Sequence, residues 1–256
     1  MNKFLVLAVT RVKTALLHVM LVLISWQLFG CGASGVKQDV STIAAPTLID
    51  SSAYLPEQEF DEDNGVYLPY EGNENPYLAQ KGRIKKEAVQ AFIQAKRHFK
   101  REQYDACENE LKRVVELDGK LSGPWLMRGE IAEINKDTPL AMEHYQKAIE
   151  VNPKNINVYL KLAKLQRVEA QFIQAQNTLA KALGIWPDFP EAHLNIGVIY
   201  DVYLNHPIRA QKHIEAYVFL AKEPDPKALK WAEEVRSRTK LEKNYHPVVA
   251  PAAPVE

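Results

Sequence analysis

Residues 122–155 read SGPWLMRGEIAEINKDTPLAMEHYQKAIEVNPKN, and the following residues 156–189 read INVYLKLAKLQRVEAQFIQAQNTLAKALGIWPDF. The two stretches have the same length and align without a gap, with a small residue at the eighth position of each. This series of small residues extends in both directions at a constant spacing of 34, through Ala95, Gly129, Ala163 and Gly197. A fixed period of this length is typical of a chain built from stacked copies of one short unit.

Helical periodicity begins at Lys85 and predicts a series of helices from there onward. A second series of small residues keeps the 34-residue spacing until one extra residue precedes its last member: Cys107, Ala141, Ala175 and Ala210. Large apolar residues follow this series four positions later, at Leu111, Tyr145, Leu179 and Ile214. Helix breakers close the units at Gly119, Pro153 and Pro187. We expect the small residues to let paired helices approach closely, while the large ones fill the space between them.

This pattern resembles the tetratricopeptide repeat. The second unit fills the signature positions of that repeat with Trp125, Gly129, Ala141, Tyr145, Ala148 and Pro153. The third unit fills them with Tyr159, Leu162, Ala163, Ala175, Leu179, Ala182 and Pro187. The resemblance implies an all-α fold over residues 85–240, a right-handed superhelical solenoid of about four helix pairs. Residues 226–240 have an apolar stripe backed by charges, and we expect this helix to cap the end of the solenoid.

The N-terminus predicts export and lipid attachment. Three basic residues precede an apolar run over residues 14–29, which is shorter than the roughly 20 residues of a membrane-spanning helix. Residues 1–30 therefore have the composition of a signal peptide. Leu28, Gly30 and Cys31 resemble the bacterial lipobox, and that resemblance implies cleavage after Gly30 and acylation of Cys31. An uncleaved signal anchor with an unmodified cysteine is the alternative.

The segments on either side of the solenoid predict little regular structure. Residues 31–80 are rich in acidic residues and proline, and they contain no lysine or arginine between Gln38 and Gln80. We therefore expect an acidic flexible linker after the lipidated cysteine. Alternatively, residues 67–70 and 76–78 dock on the first helix of the solenoid or on a partner. Residues 241–256 predict a disordered tail rich in proline and alanine.

The sequence predicts no enzymatic chemistry and no cofactor. Its 32 basic and 32 acidic residues balance, which argues against binding to nucleic acid. The seven histidines form no metal-ligand spacing, so we expect no metal site. Cys107 occupies a position where the repeat requires a small buried residue, which favours a core role over a nucleophilic one. The sequence contains neither a glycine-rich phosphate loop nor a nucleophile-elbow motif.

The resemblance also implies where a ligand would bind, since the first helix of each tetratricopeptide unit lines a concave groove. The groove residues that we single out are Leu126, Glu130, Glu133, Lys161, Lys164, Arg167, Asn195 and Asp201. The thirteenth positions of the last three units, Ile134, Val168 and Val202, belong to the same helices. Lys161, Lys164 and Arg167 are three residues apart and share one helix face. They could hold a carboxylate or an acidic peptide, bind the acidic linker, or form an ordinary solvated face.

The predicted function is a scaffold that binds a protein or peptide partner at a bacterial membrane. Gly32 follows Cys31, which in enteric-type lipoproteins implies sorting to the outer membrane, facing the periplasm. Similar tetratricopeptide lipoproteins include pilotins for pilus secretins and proteins associated with TonB-type systems. Assistance to the assembly of such an envelope machine is the first expectation. An accessory of a cell-wall hydrolase and a cytoplasmic co-chaperone are the alternatives.

Overall fold

Nine α-helices make up most of residues 46–246, which are the residues that the computed structural model describes. They are α1 Lys86–Lys100, α2 Tyr104–Leu117, α3 Gly123–Ile134, α4 Thr138–Val151, α5 Ile156–Val168, α6 Phe172–Ile185, α7 Pro190–Val198, α8 Pro207–Leu220 and α9 Pro226–Thr239. The first eight pack as four consecutive pairs, and α9 packs on the last pair. The predicted all-α solenoid with a final capping helix is confirmed. No helix within residues 46–246 combines the length and hydrophobicity needed to cross a bilayer.

The turn inside each helix pair uses one left-handed residue at a fixed position of the repeat. Glu102, Lys136 and Ala170 have φ angles of 58°, 60° and 56° and lie 34 residues apart. Asn205 takes this position in the fourth pair, with a φ of 52°, but it follows Ala170 by 35 residues. The extra residue is absorbed by the π-helix Ile199–Tyr203, which continues α7 with a wider turn than an α-helix.

Glycine is required where the two helices of a pair approach most closely. A Cβ atom on Gly129 would lie 2.3 Å from Cε1 of Tyr145, and one on Gly197 would lie 2.6 Å from Cγ1 of Ile214. Tyr145 and Ile214 are fully buried, so neither side chain has free space to move into. The expected packing, in which a small residue of one helix faces a large residue of the other, is therefore confirmed in the second and fourth pairs.

Residues 46–80, which we call the strap, differ from the predicted flexible linker because they pack against the solenoid. The strap contains a short 3₁₀ helix, Ser51–Tyr54, and an antiparallel hairpin of β1 Phe60–Asp61 and β2 Val66–Tyr67. The amide of Ile49 donates to Oδ1 of Asn177 on α6 at 2.7 Å. The ring of Tyr70 packs against Phe219 of α8, with centroids 5.1 Å apart.

A second group of contacts fixes the middle of the strap. The hydroxyl of Tyr70 donates to Asp188, and the amide of Asn73 donates to the same carboxylate at 2.5 Å. The indole N–H of Trp186 donates to the carbonyl of Asn73 at 2.8 Å. These are contacts between distant parts of the chain, so charge and periodicity along the strap do not predict them. Near the end of the strap, Tyr77 and Gln80 border a groove that α1 also lines.

The beginning of the predicted tail also packs against the helices. The backbone and side-chain amides of Asn244 donate to Glu215 at 2.8 and 2.6 Å. The ring of Tyr245 stacks on Phe219, with centroids 4.5 Å apart. Residues 241–246 therefore differ from the predicted disordered tail. The remainder of that tail, the signal peptide over residues 1–30 and the lipidation site Cys31 lie outside the described residues.

Candidate functional site

The first helices of successive units lie side by side and form what we call the first-helix wall: α1, α3, α5, α7 and α9. Phe92 of α1 lies against Gly123 of α3. Two ion pairs join α3 to α5, because Lys161 Nζ lies 2.9 Å from Glu130 Oε1 and Lys164 Nζ lies 3.1 Å from Glu133 Oε2. The wall thus carries alternating charges that bridge neighbouring units.

Glu133 is held by more than its ion pair with Lys164. Its other carboxylate oxygen accepts a hydrogen bond of 2.5 Å from the hydroxyl of Tyr145. Burial opposes ionisation of Glu133, but the hydrogen bonds from Tyr145 and Lys164 outweigh it and lower the pKa of this carboxyl group. Burial and the neighbouring carboxylate raise the pKa of Tyr145. Glu133 therefore remains an anion that fixes Lys164.

The predicted basic cluster is consequently not a free cationic patch. Lys161 and Lys164 are each paired with a carboxylate that was itself a predicted ligand-binding residue. Within residues 46–246, Arg167 forms no ion pair within 4.0 Å, and it is half-buried. The strap does not bind this cluster in the structure. A carboxylate ligand would therefore compete with Glu130 and Glu133 for the lysines.

Asp201 and Asn195 also make contacts within the chain. Asp201 accepts from Nη2 of Arg238 at 2.7 Å and from the indole of Trp231 at 2.9 Å. Both donors belong to α9, so Asp201 attaches the capping helix rather than facing a ligand. The side-chain amide of Asn195 donates to the carbonyl of Glu191 on its own helix at 2.8 Å.

An exposed aliphatic row runs along the first-helix wall, and we call it the 134/168/202 row. Ile134, Val168 and Val202 lie 34 residues apart, with exposed fractions of 46%, 68% and 63%. Val202 lies within the π-helix that absorbs the extra residue of the fourth unit. Leu126, by contrast, is partly buried and packs against the core around Tyr145. Sequence reasoning placed all four on the wall, but only the structure separates the exposed row from the buried side chain.

A buried polar network that the sequence did not predict joins the strap to the fourth unit. Ser51 Oγ lies 2.8 Å from His213 Nε2 and 3.0 Å from the hydroxyl of Tyr200. The Nδ1 atoms of His213 and His193 are 2.9 Å apart, and His193 Nε2 lies 2.7 Å from the carbonyl of Pro187. Burial lowers the pKa of both histidines, that of His193 to about 4.

The network is fully satisfied when both rings are neutral. The carbonyl of Pro187 can only accept, so Nε2 of His193 carries the proton and its Nδ1 accepts from His213. His213 Nε2 then accepts from the hydroxyl of Ser51, which in turn accepts from Tyr200. Ser51, His193 and Tyr200 are fully buried and His213 almost fully, so this arrangement holds the strap and is closed to substrates.

The described residues contain no group of three or more metal-ligating side chains placed to hold an ion. Cys107 is buried, and its Sγ lies 3.7 Å from Sδ of Met127. Burial raises the pKa of the Cys107 thiol to about 11. A thiol of this kind stays protonated near neutral pH and is a poor nucleophile.

Comparisons with known proteins agree with this architecture. A family model described as "Tetratricopeptide repeat" matches residues 144–177, a stretch of one repeat length that runs from α4 through α5 into α6. PilF from Pseudomonas aeruginosa is similar in structure, with a TM-score of 0.51 and 15% sequence identity. That alignment covers 60% of this chain and 70% of the PilF chain.

A second similar structure is MamA, from residue 41 to its end, of Desulfovibrio magneticus RS-1. Its TM-score is 0.50 at 15% identity, and the alignment covers 62% of this chain and 88% of that one. A search of curated proteins found no match to this chain. At these identities the structural similarities establish the fold, an all-α helical-repeat solenoid, and nothing more specific.

Proposed function

We propose that the protein is a non-enzymatic scaffold that captures a segment of a protein partner on its first-helix wall. One observation carries this proposal: the 134/168/202 row leaves one aliphatic side chain exposed near the end of the first helix in each of three successive units. A folded monomer gains nothing from this repeated exposure, whereas a partner that crosses the units would bury the row. An extended or helical peptide has the length to do so.

The charged pairs beside the row supply the polar contacts. Glu130, Glu133, Lys161 and Lys164 present both signs of charge along α3 and α5. Because both lysines are already paired with carboxylates, they favour orientation of a partner over strong capture of a carboxylate. The aliphatic row then supplies most of the affinity, and the pairs determine the direction of the bound segment.

We further propose that acylation of Cys31 anchors this scaffold to the outer membrane, with the solenoid in the periplasm. The Leu28–Cys31 sequence supports this part of the proposal. Two or more acyl chains anchor a protein firmly, because each buried methylene contributes about 0.8 kcal/mol. In that position the scaffold would assist assembly of an envelope machine, such as a pilus secretin or a TonB-type system.

Two experiments test the two parts separately. Val168→Glu places a charge in the row and should abolish co-purification of a secretin or TonB-like partner, whereas Glu143→Lys on α4 should not. Equal capture by both variants would contradict the proposed surface. Labelled palmitate should be incorporated into the wild-type protein and not into the Cys31→Ser variant. A failure of labelling in the wild type would contradict the proposed lipid anchor. Co-purification of a murein hydrolase alone would instead support an accessory role in cell-wall hydrolysis.

A further inference from the structure

The beginning of the solenoid is strongly cationic. Residues 81–101 comprise the segment between the strap and α1, α1 itself and Arg101. They contain eight lysines and arginines and a single acid, Glu87. All eight cationic residues are exposed. Within residues 46–246, none of the eight lies within 4.0 Å of a carboxylate, whereas pairs of this kind occur in later units. The surface of α1 therefore carries a positive charge that the described part of the chain leaves unneutralised.

An apolar groove lies in the middle of this cationic surface, and we call it the α1 groove. It has a volume of about 420 Å³, and its lining includes Val89, Phe92 and Ile93 of α1, with Lys96 and Lys120 beside them. Val89 and Ile93 are exposed rather than covered by a neighbouring helix. The α1 groove thus suits an aromatic or aliphatic side chain that is flanked by acidic residues.

The hairpin of the strap has the complementary chemistry. Residues 57–63 read EQEFDED, with five acids and no base. Phe60, in the middle of this stretch, has an exposed fraction of 50% although it is a large apolar side chain. Glu59, Glu62 and Asp63 are also exposed. None of the five acids forms an ion pair within the part of the chain that the structure describes.

The hairpin is fixed at the far end of the solenoid from α1. Tyr67 of β2 stacks on the ring of His246, with centroids 4.3 Å apart. The side chain of Gln58 makes two hydrogen bonds of 2.9 Å with the backbone of His246. His246 in turn borders a cavity lined by residues of α8 and α9. The acidic hairpin and the cationic α1 groove therefore belong to opposite ends of the repeat array.

We propose that the hairpin of one copy docks into the α1 groove of a second copy. Phe60 enters the groove, and the acids around it pair with Lys96, Lys120 and the cations of α1. The two surfaces differ, so the contact is heterologous. A dimer therefore keeps one free hairpin at one end and one free groove at the other. The copies therefore assemble head to tail. This contact does not involve the 134/168/202 row, so it can fail or succeed independently of partner capture.

Charge complementarity is the reason for choosing a second copy as the occupant. The whole chain has a formal net charge of zero, yet residues 57–63 contain five acids and no base, whereas residues 81–101 contain eight bases and one acid. Opposite charges steer association and fix register, and salt screens them over about 8–10 Å at physiological ionic strength. The apolar groove and the exposed Phe60 add a buried anchor at the centre of the contact. An anionic lipid surface would match the charge of α1 but would leave Phe60 and the acidic hairpin unpaired.

The test uses full-length protein in the cells that express it, with a photo-crosslinking amino acid at position 60. We expect a covalent dimer whose crosslinked peptide contains residues of α1 between 86 and 96. Two double variants test the two sides of the contact separately. One is Lys96→Glu with Lys120→Glu on the groove, and the other is Glu59→Lys with Glu62→Lys on the hairpin. Either variant alone should lower the dimer yield at least tenfold. The control Lys147→Glu with Lys230→Glu, on α4 and α9, should leave the yield unchanged.

Co-expression of the two reversed variants gives a directional readout. The groove variant keeps a native hairpin, and the hairpin variant keeps a native groove. A probe at position 60 of the groove variant should therefore crosslink to the native groove of the hairpin variant and not to another copy of the groove variant. No dimer from wild-type protein, or a dimer insensitive to both reversals, would overturn the proposal. A probe at Ile93 that labels lipid instead of the hairpin would assign α1 to a membrane surface and overturn it equally.

Discussion

The hydroxyl oxygen of Ser51 lies 2.8 Å from Nε2 of His213, which is 162 residues further along the chain. Both residues are buried, and this contact inserts the strap into the fourth helix pair. It connects a segment with the composition of a linker to the core of a repeat protein. The strap is consequently part of the folded unit, and substitutions at its contacts should change the stability of the protein.

Ser51→Ala should destabilise the fold by about 1–3 kcal/mol, because it leaves buried polar atoms of His213 and Tyr200 without a partner. Urea unfolding followed by circular dichroism measures the loss. Ser52→Ala is the matched control, since the Ser52 hydroxyl is exposed and bonds only to Asp50. We expect the control to change stability by less than about 0.5 kcal/mol. Equal effects of the two substitutions would show that the strap does not contribute through Ser51.

Stability should fall as the solution is acidified. The pKa of His193 is lowered from 6.5 to about 4 in the folded protein, so the unfolded chain binds protons at a higher pH than the folded one. Stability is then complete above about pH 7 and decreases as the pH falls towards 4. For His193 alone the expected loss is about 3 kcal/mol over that interval. Urea unfolding curves recorded between pH 7 and pH 4 measure it.

Variants assign this pH dependence to the buried pair. His193→Gln should reduce the slope of stability against pH, because the titrating ring is removed. His98→Gln, on α1 and remote from the pair, is the matched substitution outside the network, and the slope of His193→Gln is compared with its slope. An unaltered slope in His193→Gln would show that the acid sensitivity arises from other groups.

Gly129→Ala should destabilise the second helix pair by about 1–3 kcal/mol, since the new Cβ would overlap the buried ring of Tyr145. Gly129→Leu should prevent that pair from folding. Gly184→Ala is a control within α6, because its Cβ would lie 3.4 Å from the nearest atom. Alanine favours a helix over glycine by about 1 kcal/mol, so the control should be neutral or stabilising. A neutral Gly129→Ala would refute the required close approach.

Asp201→Ala should loosen α9 from the end of the solenoid. The substitution removes the ion pair with Arg238 and leaves the indole N–H of Trp231 without its acceptor. Hydrogen exchange of amides in α9 should accelerate at least tenfold, while exchange in α3 and α4 stays unchanged. Glu234→Ala is the control, because its pair with Lys230 is exposed and contributes about 0.5 kcal/mol or less. Unchanged exchange in α9 would contradict a fastening role for Asp201.

The repeat architecture could be predicted because its determinants are local and periodic. Gly129 and Ala163 recur at one spacing, and each lies a fixed number of residues before a large partner such as Tyr145. Every helix pair therefore repeats the same packing pattern, so one chain shows that pattern several times. The final helix was predictable for the same reason, since a solenoid must cover its last apolar face.

The ion pairing of the charged residues on the first-helix wall was not predictable from the residues on one face of a single helix. Lys161 and Lys164 share one face of α5, but their partners belong to the preceding unit. Each partner lies 31 residues earlier in the sequence, a spacing that follows from the repeat once neighbouring first helices are aligned. The strap offered no such regularity, because Ser51 and Asn73 contact single atoms of residues more than 100 positions away.

The central claim, that the 134/168/202 row captures a partner, is tested most directly by crosslinking in living cells from position 168. A photo-crosslinking residue in place of Val168 should give a defined adduct with an envelope protein, identified by mass spectrometry. The same residue in place of Glu143, which is exposed on the second helix α4, should give none. An adduct from position 143 and none from position 168 would contradict the account.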